Sequence, residues 1–385
     1  YVAYLFAHND GDGEFGPDSD QDIIKCGNYA GNSSSNGPEI DLGFEPQFVL
    51  LRNTGWSNGQ FIMYDSMRGI VNGTGGDQLL YPAQTYAESA DTQIRVTSTG
   101  FKLESDNYDV NNNFNYIYMA IRRGSLFPPE AATEVFAPNF YGTSGYVGYL
   151  GAPADMHMLG YRSGNSQNAI TSSRMIQGNK ALVTTSRAAE ITTNSSWDNM
   201  SGVTTASSTI TTLISWTWKR APSFFDVVAY TGDGTTARAI PHNLGVAPEM
   251  MIHKRRNATN DWYVPDFINS KLLLLNYDAA AYDTSLLANY YGSGNGSSGG
   301  AGSVVTPNAS TFTVTPNPNV NGSGDTYIAY LFATLAGVSK VGSVTHSGTT
   351  NVDCGFSAGS RFVMLKRTDA TGDWYVWDSV RGIIA

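Results

Sequence analysis

The sequence predicts an all-β protein that consists of tandem β-sandwich modules in a repeat array. Short aromatic and β-branched runs with a two-residue alternation recur along the 385 residues. Turns rich in Gly, Asn, Asp and Thr separate these runs, and no stretch keeps a helical period. The runs also return in the same order, which indicates one repeated module of about 100 residues, a common domain size.

One recurring element is a strand that follows a basic residue and a polar turn. Residues 372–382 read Gly-Asp-Trp-Tyr-Val-Trp-Asp-Ser-Val-Arg-Gly, and residues 59–69 are a related stretch. A strand-like run that ends in basic residues precedes each of them, at 362–367 and 48–52. Because alternate side chains point to opposite sides, each stretch predicts a strand.

A second recurring element closes each module. Residues 1–7 read Tyr-Val-Ala-Tyr-Leu-Phe-Ala, and residues 327–333 repeat them with one change. Weaker copies lie at 116–122 and 213–219. Their composition is typical of strands. Since the chain opens on such a closing run, we expect it to be a section of a longer polypeptide.

A Leu-Gly or Cys-Gly pair occupies the same place in every repeat. Its glycines are Gly43, Gly151, Gly245 and Gly355. This recurrence predicts a backbone role, either a positive φ or a close approach that a Cβ would block.

These elements predict the domain organisation. Residues 1–7 are the closing strand of a preceding repeat, 8–21 an acidic linker loop, 22–124 the first repeat, 133–222 a divergent second repeat, 223–335 the third, and 336–385 a partial fourth. We expect the fourth repeat to pack against the third or against a neighbouring copy. Helix is expected only as single turns, at 130–134 and 279–282.

The net charge and the lengths of the apolar runs indicate which kinds of partner to expect. The net charge is −10, whereas nucleic-acid binders usually carry a basic footprint, so we expect no nucleic acid as partner. No run of 18 apolar residues occurs, so we expect no membrane insertion. Cys26 and Cys354 lie in different repeats and could form a disulfide only if those repeats touch.

Residues 8–22 are the candidate metal site. The predicted ligands are Asp10, Asp12, Asp18, Asp20 and Asp22. Carboxylates at every second position resemble the start of a Ca²⁺ loop. However, Phe15 and Ile23 stand where such a loop needs Gly, and no Glu follows at the required spacing. The sequence leaves two interpretations, a Ca²⁺ ion or a solvated acidic loop without a cofactor.

The Asp-Ser-x-Arg-Gly element permits a catalytic and a structural interpretation. Asp65 and Asp378 each precede an arginine by three residues. As a nucleophile, either Asp or Ser would need a base, yet no His has an equivalent position in both repeats. A strand-end turn that an Asp–Arg pair holds explains the element better. We therefore predict no catalytic residues and a protein that is not an enzyme.

Trp262 and Trp374 share one position in their repeats, and Phe61 is their counterpart. An aromatic platform for a sugar is one interpretation, because amphipathic rings suit stacking. Their recurrence between loops that differ favours a core aromatic instead.

Residues 362–382 resemble a repeated module of tailed-bacteriophage virion proteins, known from phages of marine bacteria and cyanobacteria. Residues 7–16 with 22–27, and residues 216–230, resemble the same family. The resemblance implies a structural protein of the virion, as a fibre, decoration or tail-associated appendage. It also implies self-assembly, contact with other virion proteins, and a location in the virus particle.

A carbohydrate-binding adhesin is the alternative function. Its contact loops would be residues 289–302 and 163–174, the long polar segments that differ between repeats, and its partner would be host surface polysaccharide. The two functions are compatible in a fibre, and the sequence leaves both open.

Overall fold

A computed structural model describes residues 1–8, 14–70, 76–91, 93–140, 146–162, 168–176, 179–205, 213–297, 300 and 302–383. The protein is nearly all β, with 39% strand, 5% helix and several separate antiparallel sheets, which confirms the predicted fold class. The chain divides into two compact bodies, Tyr1–Phe127 with Arg174–Gly178 and Pro128–Ser173 with Asn179–Ala385. None of the helices in the described residues is long and apolar enough to cross a membrane.

The first repeat is a sandwich of two sheets. Its strands are β1 (Ile24–Ala30), β2 (Glu39–Asp41), β3 (Pro46–Asn53), β4 (Phe61–Asp65), β5 (Asp77–Leu80), β6 (Ser89–Asp91), β7 (Ile94–Thr97), β8 (Gly100–Leu103) and β9 (Asn115–Arg122). The main sheet has the order β1-β9-β3-β4-β5-β6 and the smaller one β2-β8-β7. The ring of Phe101 in the smaller sheet packs on Tyr29 and Tyr118 of the main sheet.

The second repeat has the same plan. Its strands are β10 (Phe136–Phe140), β11 (Tyr146–Tyr149), β12 (Met156–Tyr161), β13 (Ile170–Ser173), β14 (Lys180–Val183), β15 (Ile191–Thr192), β16 (Ser195–Ser196), β17 (Gly202–Thr205) and β18 (Leu213–Trp218), with 3-10 turns at Ala132–Glu134 and Arg174–Ile176. The sheets have the orders β10-β18-β12-β13-β14-β15 and β11-β17-β16. Val147, Leu159, Val203 and Leu213 form the core between them.

The third repeat is the most extensively buried. Its elements are β19 (Phe225–Thr231), β20 (Arg238–Pro241), β21 (Met250–Arg255), β22 (Trp262–Asp266), β23 (Lys271–Leu274), α1 (Thr284–Tyr291), β24 (Thr311–Val314), α2 (Pro318–Asn321) and β25 (Thr326–Phe332). The sheets have the orders β19-β25-β21-β22-β23 and β20-β24. The core includes Met251, Tyr263, Leu287, Phe312 and Leu331.

In all three complete repeats the closing strand is an interior strand of the main sheet, second from one edge. It pairs with the first strand on one side and the third on the other, in the orders β1-β9-β3, β10-β18-β12 and β19-β25-β21. In the third repeat, Tyr327, Ile328, Ala329, Tyr330 and Leu331 are all 0% exposed. A strand that is buried on both faces has a continuous apolar sequence, which explains the composition of β18 and β25, whereas β9 is exposed along part of its length.

The fourth repeat contributes one hairpin, β26 (Phe362–Lys366) and β27 (Trp374–Asp378). Phe362 lies opposite Asp378 and Lys366 opposite Trp374. In the third repeat, Met250 lies opposite Asp266 and Lys254 opposite Trp262. The hairpin β26–β27 therefore has the register of β21–β22.

Residues 1–7 do not form the predicted strand. They have no regular secondary structure, and Val2, Tyr4 and Leu5 are 82%, 84% and 92% exposed. The closing strands of the complete repeats pair with two neighbouring strands, and residues 1–7 pair with none among the described residues.

The helical predictions were partly wrong. Residues 132–134 form a 3-10 turn, as expected near 130–134. Residues 279–282 form no helix, and Tyr282 instead bridges to Leu272. The helix α1 begins just after them, because the Asp283 carboxylate accepts from the amides of Ser285 and Leu286 and caps it.

The glycine prediction is confirmed in all four repeats. Gly43, Gly151, Gly245 and Gly355 have φ values of 74°, 75°, 76° and 71°. Side chains disfavour this left-handed region, so the recurring dipeptide fixes one turn before each third strand.

Candidate functional site

Two junctions in the second body join consecutive repeats through equivalent hydrogen bonds. Trp262 at the start of β22 donates from Nε1 to the carbonyl of Val183, at 2.9 Å. Trp374 at the start of β27 donates in the same way to the carbonyl of Leu274, at 2.9 Å. Val183 and Leu274 each end the fifth strand of the preceding main sheet, β14 or β23. The tryptophan thus links its own repeat to the one before it.

Backbone hydrogen bonds repeat at the same junctions. The amide of Asn260 donates to the carbonyl of Arg187 and that of Gly372 to the carbonyl of Asp278, both at 2.8 Å. A second pair of bonds runs in the opposite direction. The amide of Glu190 donates to the carbonyl of Arg256 at 2.8 Å, and the amide of Ala281 donates to that of Thr368 at 2.9 Å. Side chains and backbone therefore give the two junctions one common geometry.

A lysine completes each junction. The Nζ of Lys254 donates to the carbonyls of Arg187 and Asn260, at 3.1 and 2.6 Å. The Nζ of Lys366 donates to those of Tyr277, at 3.1 Å, and Gly372. Burial lowers the pKa of Lys254 to about 8, so its ammonium still carries the proton at neutral pH.

The fourth repeat also contacts the second. Trp216 of β18 donates from Nε1 to Oδ2 of Asp378, at 3.1 Å. The Phe362 ring lies 5.4 Å from Phe136 and 5.6 Å from Trp218. Packing of the fourth repeat against the third is thus confirmed, and the sequence missed its contact with the second. A strand pattern shows which side chains share a face but not which neighbour covers them.

The Asp–Arg pair forms the predicted strand-end turn. Oδ1 of Asp65 accepts from the amide of Arg68 at 2.8 Å, and Oδ2 accepts from its Nε at 2.6 Å. Asp378 and Arg381 make the same two bonds, at 2.8 and 2.5 Å. In the third repeat, Asn269 replaces the arginine and donates from its amide and Nδ2 to Asp266.

The tryptophans serve the junctions more than the sandwich core. Trp262 is 0% exposed, so it is buried as predicted and is no platform for a sugar, but it lies against the second repeat and outside the sandwich core. Trp374 is half-buried. Phe61, their counterpart in the first repeat, has no N–H and stacks under the Arg52 guanidinium, 4.7 Å from it.

Only three of the five predicted metal ligands lie in the described residues, so the site stays a prediction. Asp10 and Asp12 lie outside them, while Asp18 and Asp20 are exposed on a turn. The carbonyl of Asp22 accepts from Nη1 of Arg122 at 3.5 Å. Residues 1–8, 14–70 and the other described ranges contain no group of three His, Cys, Asp or Glu arranged to hold a metal ion. The two cysteines are free thiols.

Two histidines, His157 and His253, are 0% exposed. Burial lowers the pKa of His157 and of His253 to about 3, so both rings are neutral at pH 7. The His253 ring lies between the hydroxyls of Tyr291 and Tyr230, at 2.8 and 2.9 Å. No sequence pattern indicates this network, because its members lie far apart along the chain.

The outer face of the fourth repeat is exposed and apolar. Leu365, Tyr375 and Trp377 are 49%, 54% and 45% exposed, and the last two rings stack 5.8 Å apart. The counterparts of Leu365 and Tyr375 in the third repeat, His253 and Tyr263, are 0% and 5% exposed. Because the hairpins β21–β22 and β26–β27 share one register, these exposed side chains lie on the face that a second sheet covers in a complete repeat.

Both predicted contact loops are shorter than expected. In residues 289–302, α1 extends to Tyr291, which is 0% exposed. Within the other segment, residues 163–167 lie outside the described ranges and Ile170–Ser173 is strand β13. Only the exposed parts of these segments remain candidates for contact with a partner.

A family model for a domain of unknown function, DUF7483, matches residues 1–123 and 163–384. The chain belongs to the DUF7483 family. The DUF7483 match includes both tryptophans of the junctions and the whole fourth hairpin, and it omits residues 124–162 at the start of the divergent second repeat. No curated protein and no solved structure matches the chain.

Proposed function

We propose that this chain is a structural protein of a bacteriophage virion, a non-enzymatic appendage, fibre or decoration built from tandem sandwiches. The observation that carries the proposal is the repeated junction. One set of bonds joins the second repeat to the third and the third to the fourth. A chain of domains on flexible linkers would not need matched bonds, whereas a rigid array of repeats benefits from them.

The junctions are stiff for a physical reason. Trp262 and Lys254 are fully buried and Trp374 and Lys366 partly buried, and each of the four donates to a carbonyl of the preceding repeat. A buried polar group that loses its partner costs about 1–3 kcal/mol, so bending the array at a junction is unfavourable. Such stiffness suits a particle component that holds copies of itself and other virion proteins in fixed positions.

The test is the location of the chain. Particles of a phage that encodes it are purified by density gradient, treated with antibodies against the recombinant chain, and examined by electron microscopy with gold labelling. We expect label at one substructure, together with peptides of the chain in the mass spectrum of the particles. Absence of both from purified particles, with the chain present in the infected-cell lysate, would contradict the proposal.

A carbohydrate-binding adhesin is the second candidate. The observation that favours it is the exposed stack of Tyr375 and Trp377, since paired aromatic rings suit the faces of sugar rings. We expect Trp377→Ala to abolish binding of host surface polysaccharide on a glycan array, while Trp374→Phe, a change on the opposite face, leaves it intact. Equal binding by both variants would remove this candidate.

A further inference from the structure

Three aromatic side chains, which we call the ring cluster, lie together at the surface of the first repeat. Trp56 belongs to the turn between β3 and β4, and Tyr108 and Phe114 belong to the segment between β8 and β9. The ring centroids of Trp56 and Tyr108 are 5.5 Å apart, and those of Tyr108 and Phe114 are 6.2 Å apart. Tyr108 is 54% exposed and the other two rings are half-buried.

A buried asparagine holds both segments that carry the rings. Asn53 is 1% exposed. Its Oδ1 accepts from the amides of Gly55 and Trp56 at 2.9 and 3.0 Å, and its Nδ2 donates to the carbonyl of Tyr108 at 2.7 Å. A Cβ on Gly55 would lie 2.9 Å from Cδ1 of Phe114, so this glycine leaves room for the ring. The rings are therefore held in place before a partner binds, which reduces the entropy that binding costs.

The third repeat has the same segment before its closing strand, without a ring at the position of Tyr108. The Tyr116 hydroxyl donates to the carbonyl of Tyr108 at 2.8 Å. The Tyr327 hydroxyl donates in the same way to the carbonyl of Pro318 at 2.6 Å. Since Tyr116 and Tyr327 begin equivalent closing runs, Pro318 is the counterpart of Tyr108.

The counterparts of the other two rings are not aromatic either. The carbonyls of Phe114 and Asp325 accept from glycine amides just after β1 and β19, at 2.9 and 2.7 Å. The amides two residues before Trp56 and Ala258 donate to the residues that precede the closing runs, at 2.9 and 2.7 Å. The third repeat therefore keeps the same backbone bonds without the rings, so the fold of the repeat does not require the ring cluster.

The equivalent surface of the third repeat stays exposed beside its junction with the second repeat. Asn257 and Thr259, which flank Ala258, are exposed. Ser323 and Gly324, which precede the counterpart of Phe114, are exposed as well. A junction with a preceding repeat therefore leaves this end of the sandwich accessible to a ligand.

The side chains around the ring cluster are small and polar. Apart from the rings and the buried Val110, residues 53–60 and 105–114 contain only Asn, Gln, Ser, Thr, Asp and Gly. Amide and hydroxyl groups of this kind can both donate to and accept from sugar hydroxyls. Asp106 and Asp109 are the charged residues of these segments, so the local charge repels uronates and phosphates. The Arg and Met side chains that are enriched at protein–protein interfaces are absent from this sequence.

We propose that the ring cluster of the first repeat binds an uncharged polysaccharide. Sugar rings stack on Trp56 and Tyr108, because amphipathic aromatic rings suit the apolar faces of sugars. The surrounding amides and hydroxyls bind the sugar hydroxyls. This site rests neither on the virion role nor on the exposed stack of Tyr375 and Trp377, which belongs to another repeat.

The test is affinity electrophoresis of the full chain through native gels that contain a dissolved polysaccharide. The neutral probes are laminarin, galactomannan and xyloglucan, and alginate, a polyuronate, is the charged probe. We expect at least one neutral polysaccharide to retard the parent chain and alginate to have no effect. Retardation by alginate alone, or by none of the four, would overturn the inference.

Variants locate the site. Trp56→Ala introduces the residue of the third repeat, so the variant should fold, and we expect it and Tyr108→Ala to bind about tenfold or more weakly than the parent. Trp56→Phe keeps a ring and should retain part of the affinity. Tyr277→Ala removes a tyrosine that is 47% exposed in the third repeat and serves as the matched control. Circular dichroism of each variant checks its fold.

Equal retardation of the parent, Trp56→Ala and Tyr108→Ala would overturn the inference. Loss of binding in Trp377→Ala but not in Trp56→Ala would also overturn it, and would favour the site on the fourth repeat. Gold labelling of particles tests the virion role separately, so failure of either proposal leaves the other standing.

Discussion

The third and fourth repeats contain the same hairpin in two different environments. Hairpins β21–β22 and β26–β27 share one register and make equivalent bonds to the preceding repeat. Their other faces differ, since Tyr263 is 5% exposed and its counterpart Tyr375 is 54% exposed. The hairpin is therefore sufficient for the junction, whereas burial of the sandwich face requires the closing strand and the second sheet.

The largest expected difference concerns the junction tryptophans. Trp262→Ala should lower the free energy of unfolding by about 3–5 kcal/mol, the usual cost of removing a fully buried aromatic ring. Trp374→Ala should cost about half as much, because Trp374 is only half-buried. Urea denaturation of both variants measures the difference. Equal losses would mean that the fourth hairpin is as well packed as the third.

Acid should destabilise the third repeat more than the fourth. The pKa of His253 is about 3 in the folded chain and about 6.5 when unfolded, so the unfolded state binds more protons between these values. The stability that the neutral ring provides is present above pH 6.5 and is lost as the pH falls towards 3. We expect a loss of about 2 kcal/mol at pH 5 from His253, and an equal loss from His157.

Urea midpoints at pH 8 and pH 5 measure this effect. His253→Gln, which keeps a polar side chain but cannot titrate, should reduce the pH dependence. His346→Gln, a change at an exposed position of the fourth repeat, serves as control. If the two variants keep the same pH dependence as the parent chain, His253 does not titrate as proposed.

The two Asp–Arg turns should differ in their sensitivity to Asp→Asn. The Asp378 carboxylate holds its turn and also accepts from Trp216, and its side chain is 0% exposed. The Asp65 side chain is 25% exposed. We expect a loss of about 2 kcal/mol for Asp378→Asn and about 1 kcal/mol for Asp65→Asn, by thermal denaturation. A larger effect at Asp65 would show that the contact with Trp216 contributes no stability.

The smallest difference is expected at the recurring glycines. Gly245→Ala and Gly355→Ala each place a Cβ at φ near +75°, and no atom lies within 4 Å of either Cβ. Both should therefore cost the same, about 1–2 kcal/mol, from backbone strain alone. Unequal losses in denaturation midpoints would indicate that the two turns differ in ways that their sequences do not show.

The sequence predicted the strands, the glycine turns and the Asp–Arg pairs, because each depends on residues close together along the chain. It predicted that Trp262 is buried in the core of its own sandwich, whereas the junction with the second repeat buries that ring. The alanines at 279–281 predict a helical turn there, whereas α1 begins only after Asp283, whose carboxylate caps it. Contacts between repeats could not be predicted from the sequence, because they depend on how the folded repeats pack together.

Amide hydrogen exchange of Asn260 and Gly372 tests the central claim, the equivalence of the two junctions, most directly. Both amides donate to a carbonyl of the preceding repeat. We expect Trp262→Phe, which removes the indole N–H that donates to Val183, to speed exchange at Asn260 and not at Gly372, and Trp374→Phe to do the reverse. Exchange at both amides that neither variant changes would contradict the claim.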